Sequence, residues 1–235
     1  QVLRPDITMP IARMVGTKLR DAMLPIRLSY LGNVYRYEGL QTGNQREVAQ
    51  AGIELFGVDG PEADAEVIST AIEVFLSLGL EDFQIDIGQV DFFKGLTEDA
   101  GLTLEVREEL RFLIEQKNLL ALETLLGELP IDGALKNIFM QLPSMYGDID
   151  VLKQGLGYTK NPRCLKAIEN IHEVYEILDD FGLSKYITFD LGMVHSLNYY
   201  TGIIFRGFTK NLGFPICGGG RYDNLLREFG YDLPA

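Results

Sequence analysis

Residues Asn33 to Gly57, NVYRYEGLQTGNQREVAQAGIELFG, read as two strands joined by a turn. Leu28 to Glu38 is rich in aliphatic and aromatic residues, Gly39 to Asn44 is a polar, glycine-containing break, and Arg46 to Phe56 alternates. Side chains along a strand point to opposite faces with period two. Ala49, Ala51, Ile53 and Leu55 therefore share one face, which reads as core, while Gln50, Gly52 and Glu54 share the other. If the strands pair, Arg36, Glu38, Arg46, Gln50 and Glu54 line one polar floor. A solvated sheet face accounts for that pattern, but paired Arg and Glu at these spacings also suit a zwitterionic or phosphorylated ligand.

Three more segments carry polar chemistry. Gln1 to Thr8 suggests a short strand entering a proline-bounded turn, with Asp6 and Thr8 on one side of it. A carboxylate and a hydroxyl there can hold an ammonium group, or can cap the helix expected from Pro10 to about Asp21. Ile187 to Phe205, ITFDLGMVHSLNYYTGIIF, reads as two strands around a turn, with Asn198 and Tyr200 on one face and Tyr199 and Thr201 on the other. Phe214 to Cys217 reads as a further strand, after which Gly218, Gly219 and Gly220 permit close backbone approach and Arg221 opens a helix. By itself that glycine run is equally well a simple turn.

Taken in order, these segments resemble the class II aminoacyl-tRNA synthetases, in the histidyl version. The central hairpin is similar to the family's second motif: Arg36-x-Glu38, a Gln41-x-Gly43 turn, Arg46, then Gln50-x-Gly52-x-Glu54. LRPDIT (Leu3 to Thr8) is similar to its amino-acid-binding segment, GGGRYDNLL (Gly218 to Leu226) to its third motif, and the Tyr199-Tyr200 segment to its histidine signature. The resemblance spans nearly the whole chain. It implies an α+β fold, an antiparallel sheet flanked by helices. It also implies that Asp6, Thr8 and Gln50 hold an ammonium group, that Glu54 and Tyr200 hold an imidazole with Tyr199 also at the histidine site, and that Arg36, Glu38, Arg46 and Arg221 are vestiges of a nucleotide site.

The departures from the family pattern bear on activity. Synthetases of this type carry Arg where this chain has His195, Asp where it has Asn198, Arg where it has Asn44, and Glu where it has Asp6. The Arg missing at His195 serves the substrate carboxylate and the charge developing at the reacting phosphate, a task a largely neutral imidazole does not match. The family also includes a non-catalytic member, the regulatory subunit of ATP phosphoribosyltransferase. The expectation is accordingly a protein without catalytic residues of its own, bound to a short catalytic subunit, activating it and sensing histidine. A homodimer within a hetero-oligomer is part of that expectation. The alternative is a histidyl-tRNA synthetase core, with Arg36 and Arg221 positioning ATP.

Composition agrees with this reading. At 235 residues with 46% hydrophobic and 23% charged residues, the chain fits one core domain with an insertion. The core is expected at 1–90 and 185–235, truncated at both ends, with the family's first motif upstream. The insertion is expected at 91–184, with Leu-rich helices at Glu105–Lys117, Leu119–Gly127, Asp132–Leu142 and Pro162–Gly182. Pro61 to Leu78 reads as a helix and Asp82 to Gly88 as a strand. The net charge is −13 without a Lys/Arg cluster, which argues against a grip on tRNA phosphates. No apolar run is long enough for a membrane span. Cys164 and Cys217 lie far apart, outside any metal-ligand spacing, so free thiols in a reducing cytoplasm are expected, with neither metal nor cofactor. His172, at the edge of the apolar stripe Ile168, Ile171 and Tyr175, reads as structural.

Overall fold

A computed structural model describes residues 3–36, 46–194, 199–210 and 212–235. The chain divides into two compact units, Gln1–Ala63 with Tyr222–Ala235, and Asp64–Arg221.

The first unit is built from α1 (Thr8–Lys18), β1 (Ile26–Tyr35), β2 (Glu47–Phe56) and the C-terminal segment. α1 buries Ile11, Ala12, Val15 and Gly16. It packs on a 3-10 turn, Leu225–Phe229, so closely that a Cβ at Gly16 would stand 2.9 Å from the Phe229 Cβ. Arg20 fastens the same contact by donating from Nη2 to the Phe229 carbonyl at 2.6 Å. The C-terminus is tied in by Gly57 N–H to the Pro234 carbonyl (2.8 Å) and Tyr222 N–H to the Ala235 carbonyl (2.6 Å).

β1 and β2 form the expected antiparallel pair, with Leu28 opposite Glu54, Tyr30 opposite Gly52 and Gly32 opposite Gln50. The choice of buried face is the reverse of the sequence expectation. Glu54 and Phe56 are buried, whereas Ala49 and Ala51 are exposed and Ile53 is 39% exposed, as is Leu31 on the same side of β1 at 81%. Leu55 alone of that set is buried. Polar side chains can occupy a covered face once they find hydrogen-bond partners, and here Glu54 accepts from two hydroxyls and Gln50 donates to Tyr30.

The second unit holds α2 (Pro61–Ser77, from Asp64 onward), β3 (Phe83–Gln89), α3 (Val90–Asp99), α4 (Leu104–Glu115), α5 (Leu119–Glu128) and α6 (Gly133–Gln141). It continues with β4 (Tyr146–Gly147), α7 (Asp150–Tyr158), α8 (Pro162–Asp180), β5 (Ile187–Asp190), β6 (Ile203–Thr209) and β7 (Cys217–Gly220). The helices begin where side-chain oxygens relieve the unpaired N–H groups of a first turn. Thr103, Asn118, Asp132 and Asn161 cap α4, α5, α6 and α8, and Pro162 occupies the first turn of α8. The sheet order is β4-β5-β3-β6-β7. All its pairs are antiparallel except β3–β5, which is parallel, so the sheet is mixed rather than wholly antiparallel. Ile68, Ile85, Phe92, Phe139, Ile171 and Phe189 belong to one continuous core that joins sheet and helices.

Two further segments differ from expectation, one in each unit. The third-motif strand runs from Cys217 to Gly220 rather than from Phe214 to Cys217, because its glycines pair with β6. A Cβ at Gly219 would lie 2.8 Å from the Phe205 ring, and one at Gly220 would lie 2.6 Å from the Ile203 carbonyl. The glycines thus make room for a neighbouring strand. The helix expected from Arg221 shrinks to the 3-10 turn at Leu225–Phe229.

Candidate functional site

The polar face of the β1–β2 pair gathers a cluster wholly inside the first unit. Glu54 is 6% exposed and accepts two hydroxyl hydrogen bonds: from Thr8 Oγ1 to Oε1 at 2.7 Å, and from the Tyr222 hydroxyl to Oε2. Gln50 donates from Nε2 to the Tyr30 hydroxyl at 3.1 Å, which leaves its buried Oε1 without a hydrogen-bond partner among the described residues. Thr8 also hydrogen-bonds to Tyr30. Tyr222 is fixed from behind by an edge-on contact with Phe56, ring centroids 6.3 Å apart.

The electrostatics of this cluster are one-sided. Burial pushes the Glu54 carboxyl above the ordinary carboxylate range; the Tyr222 and Thr8 hydroxyls oppose the shift, and the nearby Asp6 charge adds to it. Burial and the Glu54 charge likewise raise the Tyr30 phenol. Among the described residues, no Lys, Arg or His pairs with Glu54. A desolvated carboxylate without a cation is costly, so the cluster is an acceptor-rich wall suited to a ligand that brings N–H donors and positive charge.

The structure thus brings Thr8, Gln50 and Glu54 together. It gives Asp6 a capping bond as well, since its Oδ1 accepts from Met9 N–H at 3.0 Å. Arg36 and Arg46 sit side by side at the open end of the hairpin, Arg36 N–H bonding to the Arg46 carbonyl at 2.9 Å, and both side chains are exposed. Glu38, Asn44, His195 and Asn198 lie outside the described residues. The sequence reading missed Tyr30 and Tyr222. Tyr30 had a signal, because it faces Gly52 across the pair and a Cβ at Gly52 would run into its hydroxyl.

In the second unit, Tyr199 and Tyr200 are neighbours with ring centroids 4.7 Å apart, rather than on opposite faces of a strand. β6 begins only at Ile203, and the preceding residues form a turn held by Thr201 N–H to the Arg221 carbonyl at 2.8 Å. Tyr200 is buried, and Lys94 Nζ reaches its carbonyl at 3.4 Å. Arg221 is half-buried, its Nε donating to Asp64 at 3.0 and 3.4 Å. Cys164 and Cys217 are free, and burial raises both thiols to about 11, which leaves them inert as nucleophiles near neutrality. His172 is exposed, 3.7 Å from Glu176. Among the described residues no group of metal-binding side chains forms, and no helix is long and apolar enough to cross a membrane.

The model of the histidyl-tRNA synthetase family matches residues 2–235. The chain belongs to the histidyl-tRNA synthetase family. Within it, a curated relative from Acetivibrio thermocellus named ATP phosphoribosyltransferase regulatory subunit is 53% identical over all of this chain and 56% of its own length. A namesake from Ruminiclostridium cellulolyticum is 49% identical with the same coverage. Among solved structures, an ATP phosphoribosyltransferase regulatory subunit/histidyl-tRNA synthetase from Bacillus halodurans superposes with a TM-score of 0.90 at 35% identity, over 98% of this chain and 60% of that one. The histidyl-tRNA synthetase of Nostoc sp. PCC 7120 gives 0.83 at 21% identity over 98% of this chain and 56% of that one, a likeness of fold. The family's class II synthetase-like fold is therefore that of this chain. The chain spans a little over half the length of the curated relatives it matches.

Proposed function

We propose that the protein acts as a regulatory subunit of ATP phosphoribosyltransferase: it associates with a short catalytic subunit, activates it, and binds histidine as the signal for feedback inhibition. The observation that carries the histidine reading is the acceptor wall of Glu54 and the unpartnered Gln50 Oε1, which lacks a cation of its own. Histidine supplies what that wall lacks, an ammonium group for Thr8, Gln50 and Asp6 and a ring N–H for Glu54. The same reading assigns Tyr200 to the imidazole and Tyr199 to the histidine site, and a homodimer within a cytoplasmic hetero-oligomer to the assembly.

The absence of chemistry rests on His195 and Asn44 at two positions where the synthetases carry Arg. The names of the relatives support the regulatory role. For regulation, histidine must bind the active and inhibited states of the complex with different free energies. The retention of Arg36, Arg46 and Arg221 favours a second reading, a histidyl-tRNA synthetase core. Histidine- and ATP-dependent pyrophosphate exchange on the full-length protein separates the two. The regulatory reading expects no exchange, with histidine binding still seen by calorimetry; sustained exchange would make the protein a synthetase.

A further inference from the structure

The ionisation of the ligand follows from what surrounds Glu54. Its two oxygens receive hydrogen bonds from neutral hydroxyls, Thr8 from the start of α1 and Tyr222 from the C-terminal segment. The other titratable groups facing it are Asp6, ahead of α1, and Tyr30 on β1; β2 adds Gln50, whose free oxygen is a further acceptor. Hydroxyls can stabilise a carboxylate without neutralising it, and Asp6 makes the field more negative. Among the described residues no cation balances that charge. A ligand that carries positive charge on the group meeting Glu54 supplies the balance, because a charge-assisted N–H···O bond in a desolvated site is about twice as strong as a neutral one.

We infer that the Glu54 pocket takes histidine with its imidazole ring protonated, so that binding at mildly alkaline pH draws a proton from solution. This rests on the histidine reading proposed above. Free histidine carries a largely neutral ring at that pH, since an imidazole has its pKa at about 6.5. On binding, the proton comes from the buffer and occupies the free ring-nitrogen lone pair, and no other bond is made or broken. Both ring nitrogens are then donors, one to Glu54 and one to a second acceptor, and the carboxylate and imidazolium charges cancel. Feedback by this subunit would therefore depend on pH as well as on histidine concentration.

Calorimetric titration of the full-length protein with histidine, in buffers of different ionisation enthalpy between pH 7.0 and 8.0, reads the proton directly. Net uptake that increases with pH towards one proton per histidine is expected. 2-Fluorohistidine, nearly the same shape but with a ring too weakly basic to be protonated, should bind at least ten-fold more weakly. Histidine binding without proton uptake across that range, or 2-fluorohistidine binding as tightly as histidine, would overturn the inference while leaving the pocket a histidine site. Failure of histidine to bind at all would overturn the pocket's reading and this inference with it.

Discussion

Each of the two units holds a carboxyl group whose pKa its surroundings raise, and they treat it in opposite ways. Asp190, at the end of β5, has its carboxyl raised to about 6 by burial and by the Asp86 charge, with Lys117 and Arg206 pulling the other way. Its Oδ1 accepts from Gly192 N–H at 2.9 Å, and Arg206 pairs with Glu115 at 3.0 Å. The cleft between Glu115, Lys117, Asp190 and Arg206 measures about 60 Å3. Here the chain supplies its own cations. Glu54 in the first unit receives hydroxyls alone. The difference separates a carboxylate with cations beside it from one that has none among the described residues.

The comparison breaks most visibly if Asp190 is made to resemble Glu54. Arg206→Met removes a cation from two carboxylates and leaves Glu115 with the longer 3.4 Å pair to Arg111 alone. Because the pair is partly exposed, the expected loss lies between the surface and buried limits, about 2 kcal/mol in urea denaturation. The Asp190 titration, followed by carboxyl carbon NMR, should move further above 6.

A comparable loss is expected in the first unit from Gly52→Ala. The new methyl displaces the Tyr30 ring and with it the Gln50 bond, at about 1–2 kcal/mol from overpacking, read as a lowered urea midpoint with weaker histidine binding.

Asp190→Asn should have the opposite sign at neutral pH. The folded protein binds the Asp190 proton more tightly than an unfolded chain, whose Asp titrates at about 3.9. The favourable contribution of the protonated form is therefore fully present below about pH 4 and is lost as pH rises through 6. Asparagine mimics the neutral form and can still accept from Gly192. The variant should gain about 1–2 kcal/mol at pH 7.5 and nothing at pH 4. Equal stability changes at both pH values would contradict the assignment.

Tyr222→Phe is the gentlest change. It removes one hydroxyl from Glu54, worth about 1 kcal/mol, and should raise the Glu54 carboxyl further while weakening histidine binding a few-fold.

Much of this architecture is legible in the sequence. The hairpin, its facing pattern, α2, β3, α4, α5, α6 and α8 follow from apolar periodicity and capping residues. Periodicity identifies which residues share a face, but it does not say which face is covered. Ala49, Ala51 and Ile53 read as core, yet the structure covers Gln50 and Glu54, where hydroxyls from α1, β1 and the distant C-terminal segment bond to them. Such partners are invisible in a local pattern. α3 and α7 escaped notice for a different reason. Gly95 in α3, and Gly155 and Gly157 in α7, lower helix propensity, and only packing against α8 and the sheet restores it. The parallel β3–β5 pair also depends on contacts across a long helical excursion. At the site, the resemblance supplied Thr8, Gln50 and Glu54, whereas Tyr222 became visible only once the C-terminal segment was seen packed on Phe56.

The central claim is that a ligand completes the Glu54 wall and that this ligand is the regulatory signal. The most direct measurement is histidine inhibition of ATP phosphoribosyltransferase activity, reconstituted from the short catalytic subunit with full-length wild-type or Glu54→Ala protein. Loss of inhibition in the variant, with its circular dichroism spectrum matching the wild type, is the predicted result. Inhibition that survives at the same histidine concentration would place the sensor elsewhere and contradict the account.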